Sequence, residues 1–325
     1  MQDKARHQTR KVVIVGAGAV GATFAYAMAI NGIATEIVLV DRNEDLASGQ
    51  ALDLAHGQPY FPTASIRAGS ADDYADAQVI VITAGAKQEP GENRLSLLRK
   101  NARVIASIVD EITARKSPAV LLMVSNPVDV LTQVALKRSG FSRNRVIGSG
   151  TVLDSSRFRY LLSRHCDINT HNVHAYMLGE HGDSEFAAWS MTHIGGIQID
   201  QYCPVCRKCE DWMAERAKIE QTVRDSAYHI IDYKGATYFA VGLALVRIVE
   251  SILRNQKSVL TLSTYLNGEY GLNDVCLSVP AIVSQNGVER IIDKELPADE
   301  KQALDRSAAV LKSSLADLEK APESA

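Results

Sequence analysis

A chain of 325 residues with 46% hydrophobic content and a net charge of −3 is long enough for two domains and a large buried core, and too apolar for intrinsic disorder. Acids and bases are mixed along it, so no polyanion or nucleic-acid surface is expected, and no apolar run is long enough for a membrane-spanning helix. Residues 1–11 are polar and basic without an apolar segment, so no secretory signal is expected; five cysteines, an odd number, fit free thiols in a reducing compartment, and the expected location is cytoplasmic.

Residues 12–15 form a short β-branched run typical of a strand buried on both faces. Gly16, Gly18 and Gly21 follow in the pattern G-x-G-x-x-G. The first permits a tight turn, the second lets the backbone approach a pyrophosphate, and the third lets the next helix pack close to the strand. That helix is expected over 19–31, stopped by Gly32. Its unpaired N-terminal N–H groups suit a phosphate. A second strand over 37–40 ends in Asp41, whose carboxylate would accept bonds from both ribose hydroxyls of NAD and repel the extra phosphate of NADP. Arg42 is read as solvent-facing, because neighbours on an extended chain point opposite ways. Strand, glycines, helix, strand and terminal acid in one unit predict dinucleotide binding.

A helix is expected over 43–56, stopped at Gly57, and a buried strand over 79–83, followed by Ala-Gly-Ala. Residues 87–94 are polar with Pro90 and Gly91, and read as a mobile loop at the carboxyl end of a strand. An amphipathic helix over 101–115, a strand over 120–124 ending in Ser-Asn-Pro, a helix over 130–138 and a strand over 146–148 complete the first half. The alternation predicts a Rossmann-type doubly wound parallel sheet over residues 1–150.

Residues 151–325 have a different pattern, that of an α+β domain with antiparallel strands. Helices are expected over 155–165, 210–232 and 237–255, the last two broken near Gly235. A strand over 173–178 leads into the polar turn Gly-Glu-His-Gly-Asp-Ser. Strands are expected over 275–279 and 281–292, the latter folded at Asn286-Gly287. Leu304, Ala308, Leu311, Leu315 and Leu318 form one stripe of a C-terminal helix, with Pro297, Asp299 and Glu300 in its first turn.

A nicotinamide-dependent reaction at a carbonyl needs a proton donor and a group that stabilises charge on oxygen. Of eight histidines, His181 alone lies in a glycine-flanked turn from which the ring can reach a cleft, although a histidine in a polar turn is more often simply solvated. Spacing alone leaves both readings open.

Several longer runs carry a family resemblance: Val-Gly-Ala-Gly-Ala-Val-Gly at 15–21, Ala-Gly-Ala-Lys-Gln-Glu-Pro-Gly-Glu-Asn-Arg-Leu at 84–95, Val-Ser-Asn-Pro-Val-Asp at 124–129, Gly-Ser-Gly-Thr-Val-Leu-Asp-Ser-Ser-Arg at 148–157, Gly-Glu-His-Gly-Asp-Ser at 179–184 and Lys-Gly-Ala-Thr-Tyr at 234–238. In this order the chain resembles the bacterial L-lactate dehydrogenases within the lactate/malate dehydrogenase family. The resemblance implies hydride exchange between NADH and pyruvate, giving L-lactate. It implies His181 as proton donor, with Asp154 as its carboxylate partner; the alternative for Asp154 is a helix N-cap. It implies that Arg157 forks onto the substrate carboxylate, that Arg94 polarises the carbonyl once the loop closes, that Asn126 bonds the substrate oxygen and that Thr237 walls the pocket. Without the resemblance, Arg94 would read as a solvated loop arginine. Cofactor contacts are implied for Gly16, Gly18, Ala19, Val20, Gly21, Asp41, Thr83, Ala84, Gly85 and Asn126.

Gln88 stands where malate dehydrogenases carry arginine. A neutral side chain there leaves the second carboxylate of oxaloacetate without a partner and favours pyruvate, unless the adjacent Lys87 is presented instead. A non-catalytic NAD-sensing protein on this scaffold would be expected to lack His181, Arg157 or Arg94, and all three are present. Arg159 and His174 match the pair that binds fructose 1,6-bisphosphate between subunits of activated relatives, which implies an allosteric effector and a homotetramer; the alternative is an exposed helix arginine and an edge-strand histidine. Cys203, Cys206 and Cys209 have metal-like spacing but no fourth ligand nearby in sequence, and are read as free surface thiols; no metal is expected.

Overall fold

The computed structural model describes residues 10–86, 93–206, 208 and 210–320. The first half alternates strand and helix: β1 (Lys11–Val15), α1 (Ala19–Asn31), β2 (Glu36–Val40), α2 (Glu44–His56), β3 (Ser65–Ala68), β4 (Val79–Ile82), α3 (Arg94–Ala114), β5 (Val120–Met123), α4 (Val128–Ser139) and β6 (Val146–Gly148). These six strands are parallel, in the order β3-β2-β1-β4-β5-β6. The apolar runs are continuous because both faces are covered. Val12 and Ile14 join one core with Ile37, Leu39, Val79 and Val81, while Val13 and Val15 join another with Val38, Ile80 and Ile82.

The second half opens with α5 (Val152–Cys166) and the short strands β7 (Val173–His174), β8 (Met177–Leu178), β9 (Phe186–Ala187), β10 (His193–Ile194) and β11 (Ile197–Gln198). Three helices follow, α6 (Ile199–Cys206), α7 (Trp212–Lys234) and α8 (Phe239–Leu253), then β12 (Ser258–Asn267), β13 (Asn273–Ser284), β14 (Gly287–Ile291) and α9 (Ala298–Glu319). A third core, of Phe158, Leu162, Trp189, Ile219 and Val223 among others, joins α5 to α7.

Several elements differ from the sequence-based expectation. The expected strand over 173–178 is two, β7 and β8, which belong to different small sheets. β3 and β12 were not expected. The strands expected over 275–279 and 281–292 are one strand, β13, followed by β14. Pro280 does not break β13: its carbonyl accepts from Ile292 N at 2.8 Å. The Ile292 carbonyl, which a residue-280 N–H would otherwise reach, accepts from the Tyr270 hydroxyl at 2.5 Å. The turn between the two strands is Gln285–Asn286, with Gly287 (φ +88°) opening β14. β12 pairs antiparallel with β6 through Ser263 and Gly148, so the hairpin strands extend the parallel sheet to nine strands. Among the described residues no helix is long and apolar enough to cross a membrane.

Candidate active site

The carboxyl ends of β1, β4 and β5 meet where the strand order reverses, the place where such sheets bind ligands. Gly16 has φ +106°, and a Cβ there would meet Ala84 N at 2.7 Å; a Cβ on Gly21 would meet the Gly16 carbonyl at 1.9 Å. Only glycines allow this turn. The Thr83 hydroxyl donates to the Gly16 carbonyl at 2.9 Å, and Ser125 Oγ donates to the Ala84 carbonyl at 2.5 Å. Gly18 faces open space, and Gly18, Ala19 and Gly85 are exposed with Val20 and Ala84 half-buried. The result is an accessible cradle at the start of α1, with a helix N-terminus aimed into it, which fits a pyrophosphate. Asp41 ends the adjacent strand, accepting from Ala17 N at 2.7 Å and Asn43 N at 2.9 Å. It thus ties down the glycine turn, a role not foreseen, and remains half-exposed for further acceptance. Arg42 is exposed. These residues fit a dinucleotide.

The turn carrying His181 is pinned from three sides. Gly179 and Ser278 of β13 exchange backbone bonds at 3.0 and 2.9 Å. Glu180 N donates to Ser307 Oγ of α9 at 2.6 Å. His181 N donates to Asp129 Oδ2 of α4 at 2.8 Å. α5 is fixed below the turn: Thr151 Oγ1 donates to the Met177 carbonyl at 2.6 Å, and Ser155 Oγ accepts from Met177 N at 2.9 Å.

On this frame His181 Nδ1 bonds Asp154 Oδ2 at 2.6 Å, and Arg157 Nη1 donates to Asp154 Oδ1 at 2.7 Å. Asp154 is not the N-cap: α5 begins three residues before the expected start, with Thr151 at the cap position and Asp154 in the first turn. Its side chain is therefore free to serve the site. Burial opposes charge on the imidazole, but the Asp154 carboxylate, with help from Glu185 and Asp129, raises the His181 pKa to about 9. Burial likewise opposes charge on Asp154, but the His181 and Arg157 charges hold it below the usual carboxylate range. The outcome is a histidine, 23% exposed, that keeps a proton at neutral pH and is fixed in orientation through Nδ1.

The other expected residues are less tightly gathered. Arg94 does not lie inside a loop. It is the first residue of α3, behind the N-cap Asn93, and is 83% exposed, with Nη1 3.5 Å from Asp183 Oδ2 at the rim of the His181 turn. Asn126 is exposed at the end of β5, its carbonyl accepting from Asn101 Nδ2 at 2.9 Å. Thr237 is half-buried in the break between α7 and α8. Gln88 and Lys87 lie outside the described residues.

Residues 10–148 match the NAD-binding domain of lactate/malate dehydrogenase, and residues 151–321 match the alpha/beta C-terminal domain of lactate/malate dehydrogenase. The chain belongs to the lactate/malate dehydrogenase family. It is 57% identical over 311 residues to an L-lactate dehydrogenase of Treponema denticola, covering 95% of this chain and 98% of that one. It is 50% identical over 303 residues to an L-lactate dehydrogenase of Acetivibrio thermocellus, covering 93% and 95%. Among solved structures, the minor L-lactate dehydrogenase from Enterococcus mundtii in its ligands-bound form superposes with a TM-score of 0.92 at 42% identity, covering 98% of this chain and all of that one. A lactate dehydrogenase from a Medee basin deep-sea metagenome library gives 0.93 at 43%, covering 96% and 99%.

In this member of the lactate/malate dehydrogenase family, Arg159 and His174 line one cavity of about 420 Å³. Arg159 is not a solvated helix arginine: Nε donates to the Val173 carbonyl at 2.8 Å. Arg247, which sequence reasoning passed over, lines the same cavity. Cys203 is not a surface thiol. It is 4% exposed on the inner side of α6, where packing on β10 and β11 sets which face is buried. Cys206 is half-buried and Cys209 lies outside the described residues. Two further buried acids border the dyad, Asp129 and Glu185. Asp129 is visible as the last residue of the Ser-Asn-Pro-Val-Asp run, and Glu185 immediately follows Gly-Glu-His-Gly-Asp-Ser. Burial pushes the Asp129 pKa up to about 6.

Proposed function

We propose that this protein is an NAD-dependent L-lactate dehydrogenase that interconverts pyruvate and L-lactate. The observation that carries this reading is the chain Arg157–Asp154–His181, built around the buried Asp154, with bonds of 2.7 and 2.6 Å. It supplies a carboxylate-binding cation and a proton donor from one rigid helix and one pinned turn. NADH, when bound along the carboxyl edge of the sheet, supplies the hydride.

Arg157 uses one nitrogen on Asp154, and among the described residues its other guanidinium nitrogens make no hydrogen bond. They would receive the pyruvate carboxylate as a planar fork. His181 holds its proton at Nε2 toward the pyruvate carbonyl oxygen and releases it there as charge develops. Asp154 keeps the ring oriented and offsets the imidazolium charge until that moment. Arg94 would move inward from Asp183 to face the same oxygen while the 87–92 segment excludes water, with Gln88 facing the methyl group. Asn126 and Thr237 would complete the substrate pocket. The glycines, Ala19, Val20, Thr83, Ala84, Gly85 and Asn126 would line the cofactor path, with Asp41 on the ribose.

We further propose a domain division at residue 150, a homotetramer in the cytoplasm, and activation by fructose 1,6-bisphosphate at the Arg159–His174 cavity. The deciding assay is NADH oxidation with pyruvate and with oxaloacetate at equal concentrations. Pyruvate is expected to be preferred by at least about a hundredfold in kcat/KM, since oxaloacetate would bury an unpaired carboxylate beside Gln88. A preference for oxaloacetate would overturn the substrate assignment and leave the hydride chemistry standing.

A further inference from the structure

Behind the dyad lies a carboxyl group that the mechanism above does not use. Glu185 follows the His181 turn, is 4% exposed, and its Oε2 has no hydrogen-bond partner among the described residues. One oxygen of Glu185, one of Asp154 and a ring nitrogen of His181 lie within 4.8 Å of one another. The charged groups acting on it are Asp154 and Arg157 from α5, His181 from the turn and Arg224 from α7, and Asp129 of α4 also acts on His181. Arg224 makes no hydrogen bond to its carboxyl. That guanidinium is held by Glu220 at 2.7 Å and reaches only the Glu185 backbone carbonyl, at 3.2 Å. A shared metal ion is not the better reading, because it would have to break the 2.6 Å bond between His181 and Asp154.

A buried carboxylate oxygen without a donor disfavours the ionised form. Asp154, already charged and bonded to two cations, adds repulsion. Burial together with the neighbouring Asp154 charge therefore lifts the Glu185 pKa well above the usual carboxylate range.

We propose that Glu185 is a positioning residue of the proton-transfer site, a second buried carboxyl that shares its charge with the Asp154–His181 pair and governs when the imidazole gives up its proton. As pH rises, Glu185 ionises beside the imidazolium, and the new negative charge holds the ring proton in place. The two groups then titrate as one coupled unit, which extends the range over which His181 can donate. The inference rests on the assignment of His181 as donor.

The test is the pH profile of kcat/KM for pyruvate, measured for the unsubstituted protein, Glu185→Gln and Glu185→Asp. Glutamine keeps the shape and hydrogen-bonding capacity but cannot ionise. Its basic limb is expected about one pH unit lower, the size of effect expected when one nearby negative charge is removed. Aspartate, shorter by one methylene, should move the limb the same way by less, and serves if the glutamine variant folds poorly. A limb that stays in place while the plateau drops would mean that Glu185 only fills space, and would overturn the proposal. Absence of pyruvate-dependent NADH oxidation in the unsubstituted protein would instead overturn the reading of the site itself.

Discussion

Arg157 is held at one end by Asp154 and at the other is poised for a planar anion, and its 14% exposure leaves little water to compensate a poor fit. Lysine would keep the charge but lose the fork and the fixed bond to Asp154. Arg157→Lys is therefore expected to lower kcat/KM for pyruvate by roughly 2–3 kcal/mol, on the order of a hundredfold, chiefly through KM. Steady-state kinetics checks it, and an unchanged KM would remove Arg157 from the carboxylate site. At this scale the sequence was informative in an uneven way. His181 could be singled out from its glycine-flanked turn, but its bond to Asp154 spans 27 positions. No local pattern encodes such a pairing, and only the family resemblance joined the two. Glu185 was missed because an acid beside a polar turn reads as solvated, whereas here it is buried.

The glycine turn gives the sharpest contrast between elements. A methyl group on Gly21 would sit 1.9 Å from the Gly16 carbonyl, whereas one on Gly18 would meet open space. Gly21→Ala must push α1 off β1 and is expected to cost at least about 2 kcal/mol of stability. Gly18→Ala should melt near the parent temperature yet bind NADH more weakly, because the added methyl projects where the pyrophosphate approaches. Thermal melting paired with NADH fluorescence titration separates the two, and equal melting temperatures would refute the argument. α1 over Ala19–Asn31 begins and ends where its signals predict, with Gly32 left-handed at φ 60°. β13 did not, because Pro280 signals a break locally while Tyr270, ten positions away, takes over the carbonyl that the proline leaves unpaired.

Tyr26 and Ile30 of α1 and Phe239 and Leu243 of α8 are 48–65% exposed, and these two helices pack on each other. Such a patch favours burial against a second copy. On the proposed assembly, sedimentation should give a particle near four times 35.3 kDa. Fructose 1,6-bisphosphate should raise kcat/KM for pyruvate, and Arg159→Gln should abolish that rise, since His174 and Arg247 alone would face the two phosphates with one fewer fixed cation. A response that survives the substitution would move the effector site elsewhere. Whole-molecule architecture was half legible. Alternating strands and helices predicted the parallel sheet. That the hairpin of the second half would complete the same sheet was not, because the link is the Ser263–Gly148 pairing across 115 positions.

The sequence by itself determined what depends on near neighbours. It specified the buried strands through β-branched runs, the dinucleotide cradle through three glycines and an acid, and the helix ends through caps and left-handed glycines. Only the tertiary structure decided what depends on burial and on distant partners. It set which face of α6 hides Cys203, placed Asp154 inside its helix instead of at its cap, and buried Glu185 and Asp129 beside His181. The physical reason is that conformational preference acts over a few residues, whereas desolvation and charge coupling act through space and are defined only once the chain has closed around them.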